Sequence, residues 1–133
     1  AYSPCRIDYE ICKCSITKDN YFKINCETKL ENIYNFPKLD ILKNLSNLPY
    51  ELIISNKLFN KIPDFAFKNL NIDRLELNKN QIEMINNRTF AYLLNASVID
   101  LVDNKINKIE INNQLDILRL DLSKNILKVL KSN

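Results

Sequence analysis

The sequence predicts a solenoid, built from stacked units of about 24 residues instead of one globular core. Three observations carry that reading. An apolar pattern returns along the chain: IDRLELNKNQIEMINNRTFAYLL from Ile72, ASVIDLVDNKINKI from Ala96 and ILRLDLSKNILKVL from Ile117. An asparagine follows three residues after each apolar pair, at Asn80, Asn104 and Asn125. All four cysteines crowd into the first fifth of the 133-residue chain.

The cysteines come first in the chain. Six residues separate Cys5 from Cys12, one separates Cys12 from Cys14, and eleven separate Cys14 from Cys26. Structural zinc favours C-x2-C-type pairs, and Cys12 and Cys14 sit too close for that, so zinc ranks well below disulfides. An even count packed at one end suits a stapled cap in an oxidising compartment. The spacing leaves three connectivities open. Each short loop closed by a bridge stabilises by roughly 3 kcal/mol in the chain-entropy model. The start, AYSPC, has neither a charged n-region nor an apolar h-region, and is read as a mature form whose signal peptide has been removed. Within the cap, residues 1–37, Ile24 and Cys26 are expected on a strand.

Residues 38–51 are an insertion. From Ile24 to Leu52 is 28 residues, longer than one repeat. The segment FPKLDILKNLSNLP carries Leu39, Leu42 and Leu45 at a spacing of three, which predicts a short helix ending before Pro49.

Residues 52–133 hold four repeats. The first apolar residue of each pair falls at Leu52, Leu75, Ile99 and Leu120, in steps of 23, 24 and 21. Two such residues separated by one lie on the same face of a strand and must be buried. The pairs are Leu52/Ile54, Leu75/Leu77, Ile99/Leu101 and Leu120/Leu122. The asparagine sits where the strand turns away, and its amide is suited to satisfy backbone groups of neighbouring turns as a ladder. Lys57 occupies the asparagine position of the first repeat and predicts a locally different turn. Phe67, Leu70, Phe90 and Leu93 recur at matching offsets and are expected to pack beneath the sheet. All of these residues are core, not site. After Leu130 only KSN follows, without a second cysteine cluster. A solenoid left bare exposes an apolar edge. A naturally short or truncated array is the favoured expectation, with homodimer formation through the C-terminal edge as the rival; Lys124, Lys128 and Lys131 oppose edge pairing.

These features together resemble extracellular leucine-rich-repeat proteins, whose repeat reads LxxLxLxxNxLxxLxxxxFxxL. The C…CxC…C cluster is similar to the cysteine-rich N-terminal cap of that family (LRRNT-type). The resemblance covers essentially the whole chain and is specific for fold, not function. It implies an α/β solenoid: a horseshoe segment with a parallel concave sheet and an irregular or short-helix convex side. It also implies the pairing Cys5–Cys14 and Cys12–Cys26.

Composition narrows the function classes. There is no His, which removes the usual general base and imidazole ligand, and no Gly, which removes phosphate-cradling loops. Asparagine is expected at positions of positive φ instead. No enzyme activity, metal or cofactor is expected. A net charge of +3 without a basic run argues against nucleic acid. No stretch approaches the roughly 20 apolar residues of a membrane span.

What is left for function is the variable strip between the core leucines. The candidate partner-binding residues are Glu51, Ile53, Arg74, Glu76, Asn78, Val98, Asp100, Val102, Arg119 and Asp121, with acids and bases interleaved around apolar insets. Asp100 and Asp121 are expected about 5 Å apart on neighbouring strands, compatible with a glycosidase pair. They lack a pocket and are flanked by Arg74 and Arg119. The sequons at Asn44, Asn87 and Asn95 are expected to carry glycan away from the concave face. The expectation is a secreted, non-catalytic module that binds an extracellular or cell-surface protein, for instance in innate immunity. The alternatives are an assembly protein that self-associates through its C-terminal edge, or an enzyme inhibitor.

Overall fold

Leu52 and Ile54, Leu75 and Leu77, and Ile99 and Leu101 are each fully buried. The paired positions therefore face one core, as alternation along a strand demands. The computed structural model describes residues 13–18, 21–26, 34–37, 39, 42, 49–94, 96–111 and 117–127. These form a β-solenoid of about three turns, mostly parallel sheet.

The strands are β1 (Lys13–Ile16), β2 (Phe22–Asn25), β3 (Tyr50–Ile53), β4 (Ile72–Glu76), β5 (Met84–Ile85), β6 (Val98–Asp100), β7 (Lys108–Ile109) and β8 (Arg119–Asp121). The main sheet has the order β1-β2-β3-β4-β6-β8. A hairpin opens it, with β1 antiparallel to β2; every later pairing is parallel. The second sheet is the short parallel pair β5 and β7.

A single apolar core fills the solenoid, from Ile24 and Cys26 through Leu52, Leu75 and Ile99 to Ile106. Phenylalanines line part of it. Phe36 meets Phe59 and Phe67 edge-on, with ring centroids 5.1 and 5.7 Å apart, and Phe67 stacks on Phe90 at 5.9 Å. Both geometries are favourable for aromatic quadrupoles.

The helical part of the expected α/β class is not seen. Among the described residues there is no α-helix, and turns plus the β5–β7 pair connect the main strands. At the insertion, Leu42 N–H donates to Leu39 O at 2.9 Å and both side chains are buried. This is a single 3₁₀-type bond. Leu45 and most of the rest of the expected helix lie outside the described residues.

The asparagine ladder forms. Asn104 Nδ2 donates to Leu101 O of its own turn and Leu77 O of the preceding one, both at 3.0 Å, while its Oδ1 accepts from Ile82 N–H at 3.2 Å. Asn125 repeats the arrangement with Leu122 O, Leu101 O and Ile106 N–H. Asn80 bonds Leu77 O and Ile54 O in the same way. Its Oδ1 differs and takes Lys57 N–H at 2.8 Å, a residue two positions earlier in register than in the later turns. The expected irregularity at Lys57 is thus in the hydrogen bonding. The backbone there follows the common path, since Asn56, Lys79, Asp103 and Lys124 all have φ between 56 and 59°.

Those positive φ values correct the expectation for asparagine. Among the described residues seven non-glycine residues lie in the left-handed region, and of these Asn56 and Asn69 are asparagines; the others are Phe65, Lys79, Tyr92, Asp103 and Lys124. The solenoid imposes the turn, and the side chain at that position has little say.

Asp73 joins the cap to the repeats. It is the extra residue of an irregularity between β3 and β4, where Tyr50 pairs with Ile72 but Glu51 pairs with Arg74. Its carboxylate accepts from Tyr21 Oη at 3.0 Å and Ser97 Oγ at 2.7 Å. Burial, then the bond to Asp73, pushes the Tyr21 phenol well above its usual range. Among the described residues no cysteine is a free thiol; Cys5 and Cys12 lie outside them.

Candidate functional site

Parallel register sets the variable residues in rows across one face of the main sheet. One row runs Lys23, Glu51, Arg74, Val98, Arg119 and the next Asn25, Ile53, Glu76, Asp100, Asp121. Asn78 and Val102 follow where the strands turn. The leucines between these positions are held inside by the core, so the rows have no other face to occupy. Eight of the ten expected partner-binding residues thus fall in the two rows and two at their ends. The cap strand β2 adds Lys23 and Asn25, which the repeat pattern could not reveal because β2 lies before the first repeat.

Exposure is uneven. Arg74 and Arg119 are exposed, while Glu51, Glu76, Asn78, Val98, Asp100, Val102 and Asp121 are half-buried. Ile53, expected as an apolar inset, is only 5% exposed and has almost no surface to offer.

Two acids of the second row are moved from their usual range by their surroundings. Burial, then the hydrogen bond that the protonated Glu76 carboxyl donates to the neighbouring Glu51 and the charges of Glu51 and Asp100, raises Glu76 above its usual range; Arg74 opposes the shift. Two hydrogen bonds from Ser123 hold Asp121 below its usual range, with Arg119 adding to them. Arg119 Nη2 lies 3.7 Å from Asp121 Oδ2.

Asp100 and Asp121 are register partners, as the carboxylate-pair test required. Both nevertheless cap turns. Asp100 Oδ1 accepts from Val102 N–H at 2.9 Å and Oδ2 from Asn78 Nδ2 at 3.0 Å. Asp121 Oδ1 accepts from Ser123 N–H at 3.0 Å and Ser123 Oγ at 2.7 Å. A carboxylate bound to the backbone two residues on is an Asx turn, and this geometry explains an Asp at that position without chemistry. Among the described residues no three His, Cys, Asp or Glu side chains are arranged to hold a metal ion.

Of the three sequons, Asn87 is exposed in the turn after β5, beside a hollow lined by Asn86, Arg88 and Glu110. Thr89 of that sequon is buried, and its Oγ1 accepts from Asn86 N–H at 3.0 Å. Asn44 and Asn95 lie outside the described residues. A second surface feature escaped the sequence reading. Phe65 and Tyr92 are both exposed and stack at 6.0 Å, with Lys68 Nζ 5.4 Å from the Tyr92 ring.

No described helix is long and apolar enough to cross a membrane. Neither a family model nor a curated protein sequence matches the chain.

Proposed function

We propose that this chain is a secreted, non-catalytic binding module of the leucine-rich-repeat type, and that its partner is an extracellular or cell-surface protein met on the concave face of the main sheet. The observation that carries the reading is the pair of in-register rows, in which exposed arginines alternate with half-buried acids and Val98. Mixed charges around small apolar insets give a partner its register and on-rate more than its raw affinity. Enzyme inhibition is a special case of the same contact.

The rest of the proposal follows from the family resemblance. The solenoid is a horseshoe segment whose LRRNT-type cap is stapled by Cys5–Cys14 and Cys12–Cys26. Glycans at Asn44, Asn87 and Asn95 leave the concave rows bare.

Capture from the native extracellular fluid tests the reading with three proteins. The unaltered chain and a convex control, Lys68→Glu, are expected to retain the same partner. The double variant Arg74→Glu with Arg119→Glu is expected to lose it. Equal capture by all three removes the concave face from the proposal. Asp100→Ala is a poor probe, because it also opens the turn at Val102.

A further inference from the structure

The sequon at Asn87 is divided between surface and core. Asn87 and Arg88 are exposed, whereas Thr89, whose hydroxyl completes the motif, is only 2% exposed. A sugar acceptor of the Asn-x-Ser/Thr type is read at both ends, through the asparagine amide that takes the glycan and the hydroxyl two residues on. Folding leaves one end outside and takes the other in.

The fold has a reason to take Thr89 in. Asn86 N–H, at the head of the turn, donates to Thr89 Oγ1 at 3.0 Å, while Thr89 N–H donates back to Asn86 O at 3.1 Å. The preceding repeat closes the same turn with Ala66 N–H donating to Pro63 O at 3.2 Å. Proline carries no N–H, so that turn has no such donor to satisfy, and alanine suffices there. Asn86 does carry one, and Thr89 supplies its acceptor.

The residue between them is tied as well. Arg88 N–H donates to Asn86 Oδ1 at 2.7 Å, and Arg88 O accepts from Phe65 N–H of the preceding repeat at 3.0 Å. Just beyond, Phe90 is buried and stacks on Phe67 at 5.9 Å. Freeing the Thr89 hydroxyl therefore means breaking the turn, releasing the bond to Phe65 and drawing Phe90 from the core, a local unfolding of the repeat.

We infer that Asn87 is a sugar acceptor only until its repeat folds: the 86–89 turn switches the site off, although Asn87 itself stays at the surface. The inference rests on the proposal that Asn87 carries glycan, and adds when that glycan must arrive. In the transfer, Asn87 Nδ2 forms a bond to C1 of a lipid-linked oligosaccharide and loses a proton. The bond from C1 to the lipid diphosphate breaks, and the diphosphate leaves with the electron pair. Occupancy at Asn87 then records a race between this transfer and the closing of the turn.

The test is transfer in vitro, with a purified oligosaccharyltransferase, a lipid-linked oligosaccharide and the full chain made without glycan. The mass of the peptide holding Asn87 gives the extent of modification. The folded chain is expected to be modified there at least tenfold more slowly than the same chain unfolded by Leu75→Asp with Leu77→Asp, which place two charges in the core. A third chain, Leu58→Thr, makes a new sequon that begins at Asn56, with both ends at exposed positions. It is expected to accept sugar at Asn56 while folded. Equal rates at Asn87 in folded and unfolded chains overturn the inference, as does an unfolded chain that is not modified there. A folded Leu58→Thr chain refused at Asn56 also overturns it, because the block then lies in the fold at large and not in Thr89. Whether the chain from its native source bears glycan at Asn87 is a separate mass measurement, so failure of that reading is told apart from failure of this one.

Discussion

Leu75, Leu77 and Asn80 make one turn of the solenoid, and Leu120, Leu122 and Asn125 make another, with the same residues at the same spacing. In the interior turn all three are buried, at 0, 0 and 2% exposure. In the last turn all three are half-buried. The amide nitrogens of the two asparagines bond the same carbonyl positions and only the N–H that each Oδ1 accepts differs, so that local difference is not what separates the burial of the turns. What differs is the neighbour: the interior turn has one on each side and the last has one described neighbour only. In a quasi-one-dimensional fold, burial belongs to the interfaces between units more than to the units themselves.

The largest effect expected from that difference is in the core. Leu75→Ala opens a cavity between two turns and is expected to cost about 2–5 kcal/mol in urea denaturation. Leu120→Ala, at low protein concentration, is expected to cost only about 1 kcal/mol, because its side chain is already partly in water. Equal costs at the two positions break the comparison. The asparagines come next. Asn104→Ala leaves Ile82 N–H without its acceptor in a buried site and takes one of two amide donors each from Leu77 O and Leu101 O, an expected loss of about 2–3 kcal/mol. Asn125→Ala takes the acceptor from Ile106 N–H, but Asn125 is itself half-buried and water can enter in its place, so about 1 kcal/mol is expected. A thermal or urea midpoint for each variant decides it.

The same contrast shows what was legible in the sequence. Leu75, Leu77 and Asn80 announce the strand, the turn and the ladder, because spacing along the chain and position in space coincide within one repeat. The outward rows were legible for the same reason. Contacts between distant segments were not. Nothing in the repeat pattern marks Asp73, yet it ties Tyr21 of the cap to Ser97 through an irregularity that only the register exposes. Ile53 shows the limit on the candidate face: its row was correct and its burial was not, since burial depends on what packs around β3. Asp100 and Asp121 were weighed as a carboxylate pair, while the Asx turns that explain them depend on backbone direction. The short helix expected from Leu39, Leu42 and Leu45 rested on spacing alone; its described part shows one 3₁₀-type bond at Leu42, and the rest lies outside the described residues.

Glu76 and Asp121 sharpen the comparison electrostatically, since they fill one row on interior and edge strands. Glu76 is raised chiefly by burial, so the folded state holds its proton at pH values where the unfolded chain has lost it. Stability therefore falls as pH rises from the ordinary carboxylate range through the raised folded value. Asp121 is lowered, so its contribution is present above the ordinary range and is lost as pH falls through the folded value. Urea midpoints followed across acid and neutral pH are expected to show Glu76→Gln removing the first slope and Asp121→Asn removing the second. Slopes of the same sign at both positions contradict the assignment of burial to one and Ser123 to the other.

The smallest effect is one in which the two turns are expected to agree. Lys79 in the interior and Lys124 in the last turn have φ of 56 and 57°. A left-handed conformation costs a residue with a Cβ about 1–2 kcal/mol, and glycine avoids it while losing about 0.5–1 kcal/mol more conformational entropy on folding. Lys79→Gly and Lys124→Gly are therefore each expected to stabilise by about 0.5–1 kcal/mol, read as a raised urea midpoint. Strain of this kind is set by a residue's own backbone, not by its neighbours, so the gain should not follow burial. Similar gains at the two sites separate what a turn owes to its own geometry from what it owes to stacking. A gain confined to Lys124 instead assigns the left-handed turn, too, to the interfaces, with interior packing relying on the Lys79 side chain.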